Sequence, residues 1–209
     1  MIDLLAQLAQ VHRSVAQDTD GNPDEVIRVT LRRAYPTAPA DLWDALTRPE
    51  RLARWFSPVS GDLRPGGRFQ VENNAGGDIL ACEPPRLLRA TFGDPSSIVT
   101  VTLAPAGEDT ELVLDHTVPL AFAGSVAGAL FAGPGWDEAL FGLWLHLSHP
   151  DADRVATLDT DEGRDWAHRV VLAWVDVADA AGAPADQLEA GRQAALAQFA
   201  PHVLAAEPT

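Results

Sequence analysis

No lysine occurs among the 209 residues, and all fifteen basic side chains are arginine. Schiff-base chemistry and a lysine general base are therefore excluded. The single cysteine, Cys82, rules out an intrachain disulfide and a cysteine-rich zinc site. It sits on an expected strand beside Pro84 and Pro85, far from any cationic helix start, so a reactive thiol is not expected. Positive charge is scarce as well. Thirty acidic residues against fifteen arginines leave a formal net charge of −15 and a pI of about 4.6, which repels phosphate backbones and anionic membrane surfaces. Neither nucleic acid nor a membrane is an expected partner. No basic-then-apolar leader pattern is present, and no apolar run approaches the roughly 18 residues needed to span a bilayer. A cytoplasmic location, compatible with one reduced thiol, is the expectation. The chain also has no internal repeat, no serine in a nucleophile elbow, no glycine-rich phosphate loop after a strand, and no close carboxylate pair on an apolar face. Residues 61–67, GDLRPGG, read as a turn between strands. No catalytic residue, metal or cofactor is assigned.

What is present is an ordinary globular composition, 46% hydrophobic and 22% charged, in a chain long enough for one sizeable core. Leu4, Leu8, Val11 and Val15 recur at helical spacing and predict a short helix over residues 2–17. Residues 18–25, DTDGNPDE, alternate Asp18, Asp20 and Asn22 as a calcium loop does. Pro23 stands where that loop needs glycine and Val29 where it needs glutamate, so an acidic turn is expected. From Val26 the period changes to two, with Ile27, Val29 and Leu31 on one face of a strand. Residues 40–56 then predict two short helices that meet at Pro49. Arg48, Arg51 and Arg54 read as a solvated face. Glycine and proline pairs divide residues 58–118 into antiparallel strands, the last of which turns His116 toward the core with Leu112 and Leu114. Residues 121–133, small and glycine-rich, suggest a mobile lid. Residues 133–149 predict a long helix with Pro134 in its first turn. Trp136, Leu140, Leu143, Trp144 and Leu147 share one face, and Phe141 and Leu145 form a second ridge. Two further amphipathic helices are expected over residues 165–181 and 185–199.

Five segments in order carry a resemblance: RRAYPTAPADLWDALTRPERLARWFSP (32–58), LRPGGRF (63–69), GDILACEPPRLLRATF (77–92), VTVTLAPAGEDTELVLDHT (99–117) and GPGWDEALFGLWLHL (133–147). Together they resemble the homologues of the activator of the heat-shock-protein-90 ATPase, within the START-like, or SRPBCC, superfamily. The resemblance spans about residues 26–148. It implies an α+β helix-grip fold, a curved antiparallel sheet wrapped around a long helix with a mostly apolar cavity between them. The expected division is an N-terminal helix and linker (1–24), the helix-grip domain (25–149) and a helical C-terminal extension packed on it (150–209).

For function, the resemblance implies a small hydrophobic or amphipathic ligand held without chemistry. A cyclase- or isomerase-type enzyme with His116 as acid or base, and a stress-response interaction protein with a chaperone partner, are the alternatives. Trp43, Trp55, Phe69, Phe92, His116, Trp136, Leu140 and Trp144 are the candidate ligand-binding residues, although any one aromatic more often fills the core than lines a cavity. His146 and His149, three apart near a helix C-terminus, suit the helix dipole better than a metal. The Phe141 and Leu145 ridge needs a cover, either the 165–181 helix or a second subunit in a homodimer.

Overall fold

The computed structural model describes residues 2–18 and 25–205. Residues 19–24, the middle of the calcium-like stretch, lie outside the described residues. The chain divides into two compact units. One comprises Met1–Val29, Pro119–Glu138 and Asp153–Thr209; the other comprises Thr30–Val118 and Ala139–Ala152. In chain order the elements begin with α1 (Leu4–Ala9), β1 (His12–Asp18) and β2 (Val26–Tyr35), then α2 (Pro39–Thr47) and α3 (Pro49–Trp55). Strands β3 (Val59–Gly61), β4 (Arg68–Val71), β5 (Gly76–Glu83), β6 (Leu87–Phe92), β7 (Asp94–Ala106) and β8 (Asp109–Pro119) follow. After α4 (Leu120–Ala123) come the long α5 (Ala129–Ser148), α6 (Arg154–Leu158), α7 (Asp161–Ala180), α8 (Ala185–Phe199) and α9 (Pro201–Ala205). The strands form one curved antiparallel sheet in the order β1-β2-β8-β7-β6-β5-β4-β3.

In the unit that holds most of the sheet, period-two alternation decides which side chains face inward. Leu31, Arg33 and Tyr35 of β2 are buried between more exposed neighbours. On β7 and β8, Leu103 lies opposite Leu112, Val101 opposite Leu114 and Val99 opposite His116, so these pairs share the inner face. The C-terminal half of α5 packs on that face. The buried Tyr35 hydroxyl donates to the Leu140 carbonyl at 3.0 Å. Pro49 separates α2 from α3, as its ring and missing N–H require, and Trp55 Nε1 ties them by donating to the Ala45 carbonyl at 3.0 Å.

The other unit is organised around Asp137. This carboxylate, 1% exposed, accepts from Arg13 through Nε at 2.8 Å and Nη2 at 2.6 Å, and from Trp174 Nε1 at 2.6 Å. Arg13 also donates to the carbonyls of Val11 and Leu8, closing the turn from α1 into β1. Helix α7 starts on a Thr160 cap, whose hydroxyl accepts from the Gly163 N–H at 3.0 Å, and buries Trp166, Val170 and Trp174 at their predicted spacing.

The same unit makes a test of glycine placement. A Cβ added at Gly133 would lie 2.4 Å from the Trp174 ring, whereas one at Gly135 would sit 3.6 Å from the Phe199 ring, an ordinary contact. Alanine in a helix interior normally stabilises by about 1 kcal/mol over glycine. Gly135→Ala should show much of that gain in urea denaturation. Gly133→Ala should instead lose about 1–3 kcal/mol from overpacking.

Three local expectations are corrected and one alternative is narrowed. Only Leu4–Ala9 is helical at the N-terminus, and His12–Asp18 is a strand. The long helix begins at Ala129, so Pro134 lies inside it. The lid-like stretch is largely helical, with Val126, Ala127, Ala129 and Leu130 buried. Phe141 and Leu145 are each 1% exposed within the single chain, so that ridge needs no second subunit to cover it.

Candidate functional site

The inner face of β4, β6, β7 and β8 brings three of the expected residues into one line. His116 is 6% exposed, and its Nε2 lies 2.8 Å from the Ser97 hydroxyl. Ser97 is on the same side of β7 as Val99, the residue opposite His116, which places it on the adjacent diagonal. Phe92 stands edge-on to the imidazole, with centroids 6.2 Å apart and planes at 78°. Phe69 stacks on Phe92 at 6.3 Å and 27°. Both phenylalanines are only half-buried although they face inward.

Burial pushes the His116 pKa down to about 4. Removing water disfavours the imidazolium, so the ring is neutral at physiological pH. One nitrogen of a neutral imidazole donates and the other accepts. With Ser97, it is a polar, uncharged pair at the end of an aromatic row.

Other expected residues fall into separate groups. Leu140 is buried, and its carbonyl is occupied by Tyr35. Trp144, half-buried, lies 5.9 Å from Phe141 and 5.1 Å from His149 by ring centroids. It also lies 5.5 Å from the Arg33 guanidinium, which is 5.4 Å from the Tyr35 ring as well. Trp55 is a buried tie between α2 and α3, stacked obliquely on Phe56. Trp43 is half-buried on α2. Trp136 belongs to the other unit and is half-buried there.

Two residues escaped the sequence reading. Arg33 is 3% exposed on the inner face. Continuing the Ile27, Val29, Leu31 alternation by one step would have found it. Ser97 belongs to a strand that starts at Asp94, and the run Asp94-Pro95-Ser96-Ser97 that opens it is made of turn-forming residue types with no apolar alternation. Cys82 is half-buried, and burial raises its thiol pKa, as expected for an unreactive cysteine. Among the described residues, no group of three or more His, Cys, Asp or Glu side chains could hold a metal ion. No helix of the described residues is long and apolar enough to cross a membrane.

Comparison with known proteins agrees with this architecture. Residues 36–144 match the family described as activator of Hsp90 ATPase homolog 1-like protein. The crystal structure of CalU16 from Micromonospora echinospora is 31% identical, with a TM-score of 0.65 over 81% of this chain and 98% of that one. Its solution structure gives 29% identity and a TM-score of 0.68 over 82% and 97%. EF2215, a conserved protein of unknown function from Enterococcus faecalis, is 16% identical, with a TM-score of 0.62 over 85% and 95%, and shares the fold alone. No curated protein matches. The matched residues take in the α2–α3 pair, strands β3 to β8 and most of α5, and the chain belongs to the activator of Hsp90 ATPase homologue family of START-like, SRPBCC proteins.

Proposed function

We propose that this protein binds a small apolar or amphipathic molecule on the inner face of its sheet, with the Ser97–His116 pair anchoring the polar end of the ligand. The supporting observation is the pairing of half-buried Phe69 and Phe92 with a buried, neutral hydrogen-bonding pair. Binding sites for small molecules are mostly apolar and aromatic, with a few placed polar groups that fix orientation. Family membership supports the same reading. A cyclase-type reading would ask His116 to accept a proton. With a pKa of about 4 it is a weak base at neutral pH, and an efficient general base has a pKa near the working pH. Binding without turnover is therefore preferred.

Native mass spectrometry of the purified protein should reveal a noncovalent adduct. Titration with a panel of apolar and amphipathic molecules should also change tryptophan fluorescence. Ser97→Ala should weaken the best ligand about tenfold, the equivalent of about one hydrogen bond. Absence of both an adduct and a saturable response across the panel would remove the proposal.

A further inference from the structure

Within the sheet-bearing unit, α3 carries Arg51 and Arg54 three residues apart, a spacing that places side chains on one side of a helix, and Arg48 stands at its N-cap. Together with His146 from the last turn of α5, they line an open cleft of about 480 Å³. Asp41 and Glu50 also line it. Three guanidiniums and two carboxylates line it, and Asp44 pairs with Arg48 and Arg51 from beside it, so Arg54 is the arginine of the three without an ion pair among the described residues. Arg48 and Arg54 are exposed, as a solvated face would have them, and only Arg51 departs from that expectation.

Arg51 is the organised member. Its Nη1 donates to the Asp41 carboxylate at 2.7 Å, the Asp41 carbonyl at 3.2 Å and Asp44 at 3.2 Å. Its Nε donates to His146 Nε2 at 3.3 Å. Its Nη2 takes part in none of these bonds. A guanidinium can only donate, so Nε2 of His146 accepts, and the proton of the neutral ring is on Nδ1. Arg48 is held on Asp44 through Nε at 2.7 Å. Arg54, exposed, makes no ion pair or hydrogen bond among the described residues. Arg51 Nη2, the Arg54 fork and His146 Nδ1 are thus three sets of N–H donors on one cleft.

We infer that this cleft binds a small oxyanion, the phosphate or carboxylate head of a small molecule, with Arg54 as its bidentate fork and Arg51 Nη2 and His146 as further donors. Guanidinium forks match both kinds of oxyanion bidentately, and hydrogen bonds to an ionised acceptor are the strong ones. Asp41 and Asp44 hold Arg51 in place from α2, so its Nη2 is positioned before a ligand arrives. The electrostatics of His146 supply a reporter. Burial lowers its pKa, and Arg51 and Arg54 lower it further, against an opposing pull from Asp41. An oxyanion on the arginines offsets their effect and raises the His146 pKa. His149, just past the end of α5, stands against Trp144 instead.

The test is an NMR titration of the His146 imidazole with inorganic phosphate, at ionic strength held constant with chloride. A saturable response with Kd on the order of 1 mM is expected, with an upward shift of the His146 pKa. Arg54→Gln should abolish both. Arg89→Gln should leave them intact, because Arg89 on β6 is an exposed arginine that likewise lacks an ion pair among the described residues. Acetate in place of phosphate sorts the ligand class: an equal response assigns a carboxylate head, and a weaker one a phosphate. Absence of saturation up to about 50 mM, where screening alone acts, would overturn the inference. So would equal weakening by Arg54→Gln and Arg89→Gln. Because Ser97 and His116 have no part in this titration, its outcome is independent of ligand binding on the sheet.

Discussion

Replacing Asp137 with alanine is expected to destabilise the protein by about 3–5 kcal/mol, the cost of leaving a buried charge without its partner. Asp137 is 1% exposed and Arg13 is 8% exposed. Removing the carboxylate strands the Arg13 guanidinium in a region with little water, and it also takes the acceptor from Trp174 Nε1. The second loss adds the desolvation of an unsatisfied buried donor. Asp137→Asn keeps one acceptor oxygen but not the charge, so it should fall between wild type and alanine. The double variant Arg13→Met with Asp137→Ala should be more stable than Asp137→Ala alone, because the stranded charge is gone. Urea denaturation read by near- and far-ultraviolet circular dichroism measures these differences and checks that the two signals coincide. A loss below about 1 kcal/mol for Asp137→Ala would mean that the pair is no more than a surface bridge.

Much of the fold is legible because its elements repeat a period for long enough. On β8 the alternation of Leu112, Leu114 and His116 leaves one reading, and the structure buries all three. Pro49 marks the break between α2 and α3 with equal clarity. The N-terminus misleads for a definite reason. Val11 and Val15 are four apart, and four is close to one helical turn and is also an even number, so it satisfies helix and strand together. Val15 is buried on β1, a strand, and only the partner strand could have decided the matter. The start of α5 misleads differently. Gly133, Pro134 and Gly135 lower its intrinsic helix propensity, yet Gly133 is required where the helix backbone meets the Trp174 ring. A long-range contact chose the residue, and the local sequence shows only a helix breaker.

The candidate sites follow the same division. His116 could be aimed from its own strand, and Phe92 from its own; their meeting with Phe69 depends on pairings across β4 to β8. Arg33 was hidden by its charge, since an arginine after a valine-and-leucine alternation reads as the end of the buried face. Arg51 was hidden by its company. Three arginines at helical spacing look like solvent-facing charge until α2 and α5 supply Asp41, Asp44 and His146. Spacing within an element is written in the sequence, whereas the partner that changes a charge from solvated to held is not.

His116 gives the last large effect, and its sign is fixed by the direction of the shift. The folded pKa is about 4 against an ordinary 6.5, so between those values the unfolded chain binds more protons than the folded one. Stability therefore falls as pH drops from 6.5 toward 4, is unaffected by this group above that window, and has lost about 3 kcal/mol at its lower end. Asp41, with its carboxyl held low by the Arg51 hydrogen bond, acts at lower pH. His146, lowered mainly by burial, contributes in the same direction as His116, so the difference between wild type and a variant is the useful quantity. His116→Gln keeps a polar side chain without a titrating group. At neutral pH it should be the less stable protein by about 1 kcal/mol, through poorer geometry toward Ser97. The gap should close and then reverse in acid as wild type alone pays for the buried imidazole. Denaturation curves at about pH 7, 5.5 and 4.5 would show it. An identical acid slope in both proteins would mean that His116 titrates as a solvated histidine, and a solvated histidine could not serve as the neutral anchor of an otherwise apolar ligand.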